Sequence, residues 1–142
     1  NVPMHCTGIG DVMEPISIKN NYYVLIVKPN AGCGTKAIFD ISDGMTLKTG
    51  NVQAVIDALA SGDDEALQES IFNSVQEPAI KNVPEIQNII ELVKSYGLKI
   101  VQMTGSGSAV FGLSTDKKLV YSVAKELDKH DKYFVEVTRI LK

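Results

Sequence analysis

The sequence predicts an α+β fold, specifically a ferredoxin-like antiparallel sheet with helices on one face. Apolar residues recur every three or four positions through the middle of the chain, which indicates amphipathic helices. Short β-branched and aromatic runs, such as Tyr22 to Val27, indicate strands. Strands and helices mixed in one chain, with both hairpin-like and crossover connections, are typical of this class.

The first strands are predicted around a glycine-containing bend. Thr7 to Asp11 carries two glycines, so we expect a strand that enters a bend there and continues as an edge strand from Val12 to Ile18. The run from Tyr22 to Val27 does not alternate between apolar and polar residues, which predicts a strand covered on both faces. That strand should end near Pro29, because proline cannot donate to a central ladder.

A glycine-rich connection follows, and it leads into a short helix. Residues 30–35 contain two glycines, and Thr35 is the expected N-cap. Ile38 and Phe39 lie on this helix, which Gly44 should close. Residues up to Gly50 are expected to form a loop.

Three further helices are predicted from capping residues and apolar spacing. Asn51 and Asp63 are expected to cap the first two, and Pro84 suits the first turn of the third. Gly62 and Gly97 are the expected stops. The apolar stripes are Val52, Val55, Ile56 and Leu59 in the first helix, Leu67, Ile71 and Val75 in the second, and Ile86, Ile89, Ile90 and Val93 in the third.

The last third of the chain returns to strands. Leu98 to Met103 and Ala109 to Leu113 are predicted strands joined by a loop of small residues. Asp116 can cap a helix that carries Leu119, Val120, Val123 and Leu127. Tyr133 to Leu141 is the final predicted strand.

Composition narrows the class of protein. A chain of 142 residues with 44% hydrophobic residues fits a single domain that buries a core without disulfides. The net charge of −3 argues against a nucleic-acid surface. Since no apolar run approaches the ~20 residues that span a bilayer and no signal peptide is recognisable, we expect a cytoplasmic protein. Cys6 and Cys33 are expected to be free thiols, and the adjacent His5 and Cys6 offer too few ligands for zinc.

The segment from Thr104 to Ser108 is the sharpest local feature. Gly105 and Gly107 alternate with hydroxyl residues, a composition that lets successive N–H groups point into a concavity and hold phosphate oxygens. The segment lacks the Gly-Lys-Ser/Thr ending of a P-loop, and it joins two strands rather than a strand and a helix, unlike a dinucleotide fingerprint. A plain hairpin turn remains the alternative.

Four elements of the sequence, taken together, resemble a known family. The run from Gln102 to Leu113 resembles the third conserved motif of the GHMP kinases. Thr7 to Asp11 resembles the family's T-G-x-G-E stretch, and Val27 to Asn30 followed by Thr35 to Phe39 resembles its strand, proline and Thr-x-x-x-Phe element. A helix that ends at Gly97, just before the third-motif strand, also fits. Together these elements are similar to the C-terminal half of the member that acts on a diphosphocytidyl-methylerythritol substrate.

The resemblance implies a reaction and a division of labour. Such kinases transfer the γ-phosphate of ATP, with Mg²⁺, to a substrate hydroxyl, here for isoprenoid biosynthesis. The family's N-terminal domain supplies the ATP loop together with a catalytic Lys and Asp. Residues 1–142 are thus expected to form one domain, the substrate-side C-terminal domain, with no catalytic residue and no metal ligand of its own. Its expected partners are its own N-terminal domain, ATP and the cytidyl substrate.

The resemblance also assigns roles to residues. Thr104, Gly105, Ser106, Gly107 and Ser108 would contact the ATP loop and line the phosphate-transfer cleft. Phe39 would stack on the cytosine base, with Thr35 and Pro29 beside it. A buried core position for Phe39 and a simple capping role for Thr35 remain open from the residues alone.

Two other functions stay open at this stage. The chain could belong to another GHMP kinase, such as a homoserine or phosphomevalonate kinase. It could instead be a ferredoxin-like module that binds a small effector and performs no chemistry, because such folds host many functions.

Overall fold

The computed structural model describes residues 2–142, which contain six strands and six helices. The strands are β1 Met4–Thr7, β2 Val12–Pro15, β3 Tyr23–Pro29, β4 Ile100–Met103, β5 Val110–Ser114 and β6 Tyr133–Arg139. The helices are α1 Thr35–Asp43, α2 Val52–Ser61, α3 Asp64–Ser70, α4 Gln76–Asn82, α5 Glu85–Ser95 and α6 Lys117–Asp128.

Four strands form the main sheet, in the order β4-β5-β3-β6 with every pair antiparallel. In chain order this is strand, helices, two strands, helix and strand, which is the ferredoxin-like topology. The predicted fold class is therefore confirmed. β3 lies at the centre, where Val27 pairs with Val110 of β5 and Val135 of β6. Pro29 ends the strand opposite Tyr133, beyond the last residue that pairs with β5, so its missing N–H leaves that ladder intact.

The larger core lies between the sheet and helices α5 and α6. The whole predicted stripe of α5 is buried, and Leu25 and Val27 of β3 meet it from the sheet. α6 adds Val120, Val123 and Leu127 to the same core. Each such side chain stabilises the fold by about 1.5–3 kcal/mol when it leaves water, so these two helices supply much of the hydrophobic stabilisation.

A smaller cluster covers part of the opposite face of the sheet. Ala58 of α2 and Leu67 of α3 pack there with Tyr22, Ile100 and Leu113. The sequence predicts helices on one face only, and the α2–α3 pair is an addition to that arrangement. It arises because successive residues of β4, such as Ile100 and Val101, are both apolar and both need cover.

Most of the predicted helix caps are confirmed. The side chains of Asn51, Asp63 and Asp116 accept hydrogen bonds from backbone N–H groups in the first turns of α2, α3 and α6. Gly62 ends α2 in the left-handed conformation, at φ +75°. Gly97 follows α5 with φ +112°.

Two helix predictions are wrong. Thr35 is not the N-cap of α1: Gly34 occupies that position, and no side chain caps the helix. The helix predicted through Val75 ends at Ser70, and a separate helix, α4, was not predicted. The chain turns at Ile71 into extended backbone, which lets the segment between α3 and α4 reach the end of β4.

β1 and β2 form a separate two-stranded hairpin, with Met4 opposite Pro15 and Thr7 opposite Val12. Its turn uses Gly8 and Gly10 at φ +66° and +90°, which matches the predicted bend. The second strand is shorter than predicted because it stops at Pro15. The hairpin exposes four large apolar side chains, those of Met4, Ile9, Val12 and Met13.

Among residues 2–142, every helix is too short or too polar to cross a membrane.

Candidate functional site

The glycine loop, residues 104–108, joins β4 to β5 and is folded on itself. The N–H of Thr104 donates to the carbonyl oxygen of Ala109 at 2.9 Å, and the N–H of Gly107 donates to that of Thr104 at 3.1 Å. Gly105 and Gly107 have φ values of +55° and +91°, a region that favours glycine. The alternation of glycines in the sequence thus reflects a backbone requirement.

Gly107 is also required by close packing. A Cβ at this position would lie 2.8 Å from Met103 Sδ and 3.2 Å from Cys33 Sγ. At Gly105, by contrast, a Cβ would meet nothing within 4 Å. Burial raises the pKa of the Cys33 thiol above its ordinary value, although a hydrogen bond with Asn82 lowers it in part. Cys33 is partly buried and packs against the larger core beside Gly107.

The middle of the glycine loop has free backbone N–H donors. Within residues 2–142, the N–H groups of Gly105 and Ser106 have no hydrogen-bond acceptor. Two neighbouring free N–H groups in a turn with positive φ can bind an anion such as a phosphate oxygen.

A groove of about 610 Å³ lies in front of this loop. It brings together five of the eight residues singled out from the sequence, namely Thr35, Phe39, Thr104, Gly105 and Ser106. No local sequence pattern relates residue 39 to residue 105, and the fold brings the two residues to one groove.

Thr35 contacts the glycine loop directly. Its Oγ1 lies 3.1 Å from Ser106 Oγ, so the two hydroxyl groups are hydrogen-bonded. Thr35 is the first residue of α1, and the contact holds that end of the helix against the loop. The hydroxyl that sequence reasoning assigned to helix capping is used here between two parts of the site.

Phe39 points out of the core. Its side chain is 53% exposed, whereas the neighbouring Ile38 is fully buried. The core alternative for Phe39 is therefore excluded, and its ring borders the groove together with Phe72 and Phe111. An exposed ring beside free N–H donors suits a ligand that has both an aromatic part and an anionic part.

Three predicted site residues do not line the groove. Pro29 is buried at the end of β3. Ser108 is 2% exposed, and its hydroxyl donates to the carbonyl oxygen of Ala31 at 2.7 Å. Gly107 lies against the sulfur atoms described above. These residues shape the site from behind, because none presents an atom to the groove.

Asn73 and Phe72 also line the groove, although neither was predicted from the sequence as a site residue. Asn73 Nδ2 donates to the carbonyl oxygens of Met103 and Gly105, each at 2.9 Å. Its Oδ1 accepts from the N–H of Val75, which is an Asx turn. The dipeptide Asn73-Ser74 is a turn signal that could have revealed this bend; the four-residue spacing of apolar residues hid it.

The groove contains neutral groups only. Its lining residues within the described chain are hydroxyl, amide, apolar and glycine residues, without a carboxyl, imidazole or amine. Nor do three His, Cys, Asp or Glu side chains converge as metal ligands anywhere in residues 2–142. The arrangement can bind an anion and an aromatic ring, but it holds no group that could accept a proton near neutral pH.

A second groove, of about 420 Å³, lies at the other end of β4. Asp64, Glu65 and Lys99 line it, and it contains none of the residues singled out from the sequence. Asp64 already accepts hydrogen bonds from the Tyr22 hydroxyl, at 2.6 Å, and from Asn20, at 3.0 Å. This carboxylate thus joins the segment that precedes β3 to the first residue of α3.

Comparison with known proteins decides the family. Residues 55–132, more than half of the chain, match the family model described as "GHMP kinases C terminal". The chain belongs to the GHMP kinase family. The matched stretch includes the glycine loop, and the resemblance noted from the sequence is confirmed.

The curated relatives carry the name of one member of the GHMP kinases. A Geobacillus thermodenitrificans protein named 4-diphosphocytidyl-2-C-methyl-D-erythritol kinase is 32% identical over 107 residues, which are 75% of this chain and 37% of that protein. A Streptococcus equi subsp. zooepidemicus protein, provisionally named as the same kinase, is 32% identical over 121 residues, which are 85% of this chain and 43% of that protein. The chain spans less than half the length of these relatives.

Solved GHMP kinase structures share the fold. A crystal structure of 4-(cytidine 5′-diphospho)-2C-methyl-D-erythritol kinase is 23% identical, with a TM-score of 0.71 over 92% of this chain and 47% of that one. Homoserine kinase from Cytophaga hutchinsonii is 16% identical, with a TM-score of 0.72 over 92% and 44%. At these identities the likeness establishes the fold alone.

Proposed function

We propose that this chain is the substrate-side domain of a kinase that transfers the γ-phosphate of ATP to a hydroxyl group of 4-diphosphocytidyl-2-C-methyl-D-erythritol. The observation that carries the proposal is one groove lined both by Gly105 and Ser106, whose N–H groups are free, and by Phe39, whose ring is exposed. The names of the relatives that are 32% identical support this choice of substrate.

In this proposal different groove residues bind different parts of the ligand. The N–H groups of Gly105 and Ser106 stabilise negative charge on phosphate oxygens, which is the main requirement of phosphoryl transfer. The Phe39 ring stacks on the cytosine base, a contact worth roughly 1–3 kcal/mol in related systems. Thr35 and Thr104 contribute hydroxyl groups to the part of the groove between the phosphate site and the base site. Gly107, Ser108 and Pro29 hold these elements in shape from behind.

The proposal assigns the chemistry itself to another domain. The groove has no carboxylate, so its residues do not fit a Mg²⁺ site, and no step of the reaction is assigned to a metal held by them. It also has no general base. We therefore propose that residues 1–142 act as one C-terminal domain and that an N-terminal domain holds ATP and any Mg²⁺ and supplies the catalytic residues.

Two observations support a second domain. The relatives are more than twice as long as the part that this chain matches. The β1–β2 hairpin exposes Met4, Ile9, Val12 and Met13 and pairs with no other strand of the described chain. Exposed groups of apolar side chains are typical of surfaces that contact another domain or protein. The cytoplasm, where ATP is available, is the proposed location.

The proposal is tested with the full reading frame that contains this sequence. We expect that frame to encode a glycine-rich ATP loop before residue 1, and the purified product to consume ATP in the presence of the diphosphocytidyl substrate. Homoserine and phosphomevalonate serve as the competing substrates. Consumption of ATP with homoserine but not with the cytidyl compound would assign the chain to another GHMP kinase. A product without kinase activity on all three would favour an effector-binding module.

A further inference from the structure

Asn73 uses its whole side chain to hold the end of β4 and the start of the glycine loop. Nδ2 donates both of its hydrogens, one to the carbonyl oxygen of Met103 and one to that of Gly105, each at 2.9 Å. Oδ1 accepts from the N–H of Val75 at 3.1 Å, which fixes the amide plane. Such a side chain cannot rotate without the loss of three hydrogen bonds.

The neighbouring Gln76 completes the attachment. Its Oε1 accepts from the N–H of Met103 at 3.0 Å, so both backbone groups of Met103 are bound by side chains, one from the segment before α4 and one from the first residue of α4. β4 lies at the edge of the sheet, and these two side chains occupy the hydrogen-bonding positions that a further strand would fill. The start of the glycine loop is thereby tied to a rigid strand end.

The contact with the Gly105 carbonyl also sets the direction of a neighbouring donor. In a planar trans peptide the C=O of one residue and the N–H of the next point in opposite directions. The only cis bond in the described chain joins Gly107 to Ser108, so the Gly105–Ser106 peptide is trans. Because Asn73 holds the Gly105 oxygen, the N–H of Ser106 is held pointing away from Asn73.

We propose that Asn73 is a positioning residue that aims the Ser106 N–H at the transferred phosphate. This assignment rests on the proposed kinase function, since it gives the free N–H groups of the glycine loop their ligand. Asn73 itself need not touch the substrate. Its effect is exerted through the peptide group that it holds.

The first experiment compares two asparagines in this chain by amide NMR. Asn73→Ser keeps an oxygen near the Val75 N–H but cannot reach the two carbonyl oxygens. Asn51→Ser is the matched control, because Asn51 Oδ1 accepts only from the N–H of Ala54 and serine caps a helix equally well. We expect Asn73→Ser to shift the amide signals of Gly105 and Ser106 and to speed exchange of the Thr104 and Gly107 amides about tenfold. Asn51→Ser should leave these four signals unchanged.

The second experiment measures kinetics in the two-domain protein. Asn73→Ser should lower kcat roughly 10- to 100-fold while the KM for the alcohol substrate stays within about threefold, because the lost contact acts on the phosphate in the transition state. A rise in KM with unchanged kcat, or no effect at all, would overturn the assignment.

Stability is measured in parallel. Asn73→Asp serves as a second variant, since it keeps the Oδ1 acceptor and the size but loses both donors. If both variants fail to fold while Asn51→Ser folds, Asn73 is a structural residue and the proposal is wrong. Absence of kinase activity in the unaltered two-domain protein would instead defeat the proposed function, and the NMR comparison would still show whether Asn73 controls the loop.

Discussion

The hydroxyl oxygens of Thr35 and Ser106 lie 3.1 Å apart, although the residues are 71 positions apart in sequence. This hydrogen bond joins the first turn of α1 to the glycine loop. Phe39 lies one turn further along the same helix, and the free N–H groups are those of Gly105 and of Ser106 itself. The bond therefore links the proposed base site to the proposed phosphate site.

Replacement of Thr35 by valine tests this link, because valine has the same shape without the hydroxyl group. We expect kcat/KM of the two-domain kinase to fall about 5- to 10-fold, which corresponds to the loss of roughly 1 kcal/mol. The free energy of unfolding should change by less than about 1 kcal/mol, since Gly34 and not Thr35 occupies the N-cap position. The exposed Thr115→Val is the control. Equal activity of the two variants would show that the hydroxyl contact has no functional role.

The proposed stacking of Phe39 predicts a change in substrate binding without a change in stability. Phe39→Ala should raise the KM for the cytidyl substrate about 5- to 150-fold, as expected for the loss of one base–ring contact. The ring is 53% exposed, so the melting temperature should hardly change. Phe134→Ala removes a ring that is 58% exposed on β6, outside the groove, and is the matched control. An unchanged KM in Phe39→Ala would contradict the stacking role.

The two glycines of the loop should differ in their tolerance of a side chain. Gly107→Ala combines a positive φ with contacts of 2.8 Å and 3.2 Å to two sulfur atoms, and we expect it to lower the free energy of unfolding by about 2–4 kcal/mol. Gly105→Ala has a positive φ but open space, and should cost only about 1 kcal/mol. Urea unfolding of both variants gives the comparison. A larger loss at Gly105 would mean that packing under the loop is not the constraint.

Tyr22 should make stability depend on pH at the alkaline end. Burial, with a further contribution from its hydrogen bond to Asp64, raises the pKa of the Tyr22 hydroxyl from 10.0 to about 12. The folded state thus keeps its proton where the unfolded state has lost it. The contribution of the neutral Tyr22 hydroxyl to the free energy of unfolding is complete below pH 10. It falls by up to about 2–3 kcal/mol as the pH rises towards and through 12.

Urea unfolding between pH 8 and 11.5 measures this effect. Tyr22→Phe should unfold more easily at pH 8, because it lacks the bond to Asp64, but should show a smaller loss of stability as the pH rises. Tyr121→Phe, which alters an exposed tyrosine, should behave like the unaltered protein. Identical slopes for Tyr22→Phe and the unaltered protein would show that another group is responsible.

The sheet and the long helices were predictable because their signals are local. The stripe of α5 from Ile86 to Val93 repeats with the helical period, and all four of its apolar residues are buried. Asn51 and Asp63 indicate where helices begin, because their side chains accept hydrogen bonds from backbone N–H groups two or three residues further along the chain. Information of this kind lies within one short window of sequence.

The errors occurred where tertiary contacts outweigh local signals. Threonine is a residue type that often caps helices, but the hydroxyl group of Thr35 is hydrogen-bonded to Ser106 of the glycine loop. The four-residue spacing of Leu67, Ile71 and Val75 indicated one continuous helix, but the helix ends at Ser70. In the segment that follows, Asn73 donates to the carbonyl oxygens of Met103 and Gly105. No window around residue 73 contains residue 103, so single-sequence reasoning could not have found the contact.

The central position of β3 also has a consequence for the order of events during synthesis. β3 is made early, but both of its partners, β5 and β6, come late, and Val27 must wait for Val110 and Val135. At ribosomal rates of about 5–20 residues per second, the central strand of the sheet stays without partners for seconds. Pairing over such long separations is also intrinsically slow. A nascent chain halted before Tyr133 would present one open edge of β3 to other chains, which makes the last strand a safeguard against aggregation.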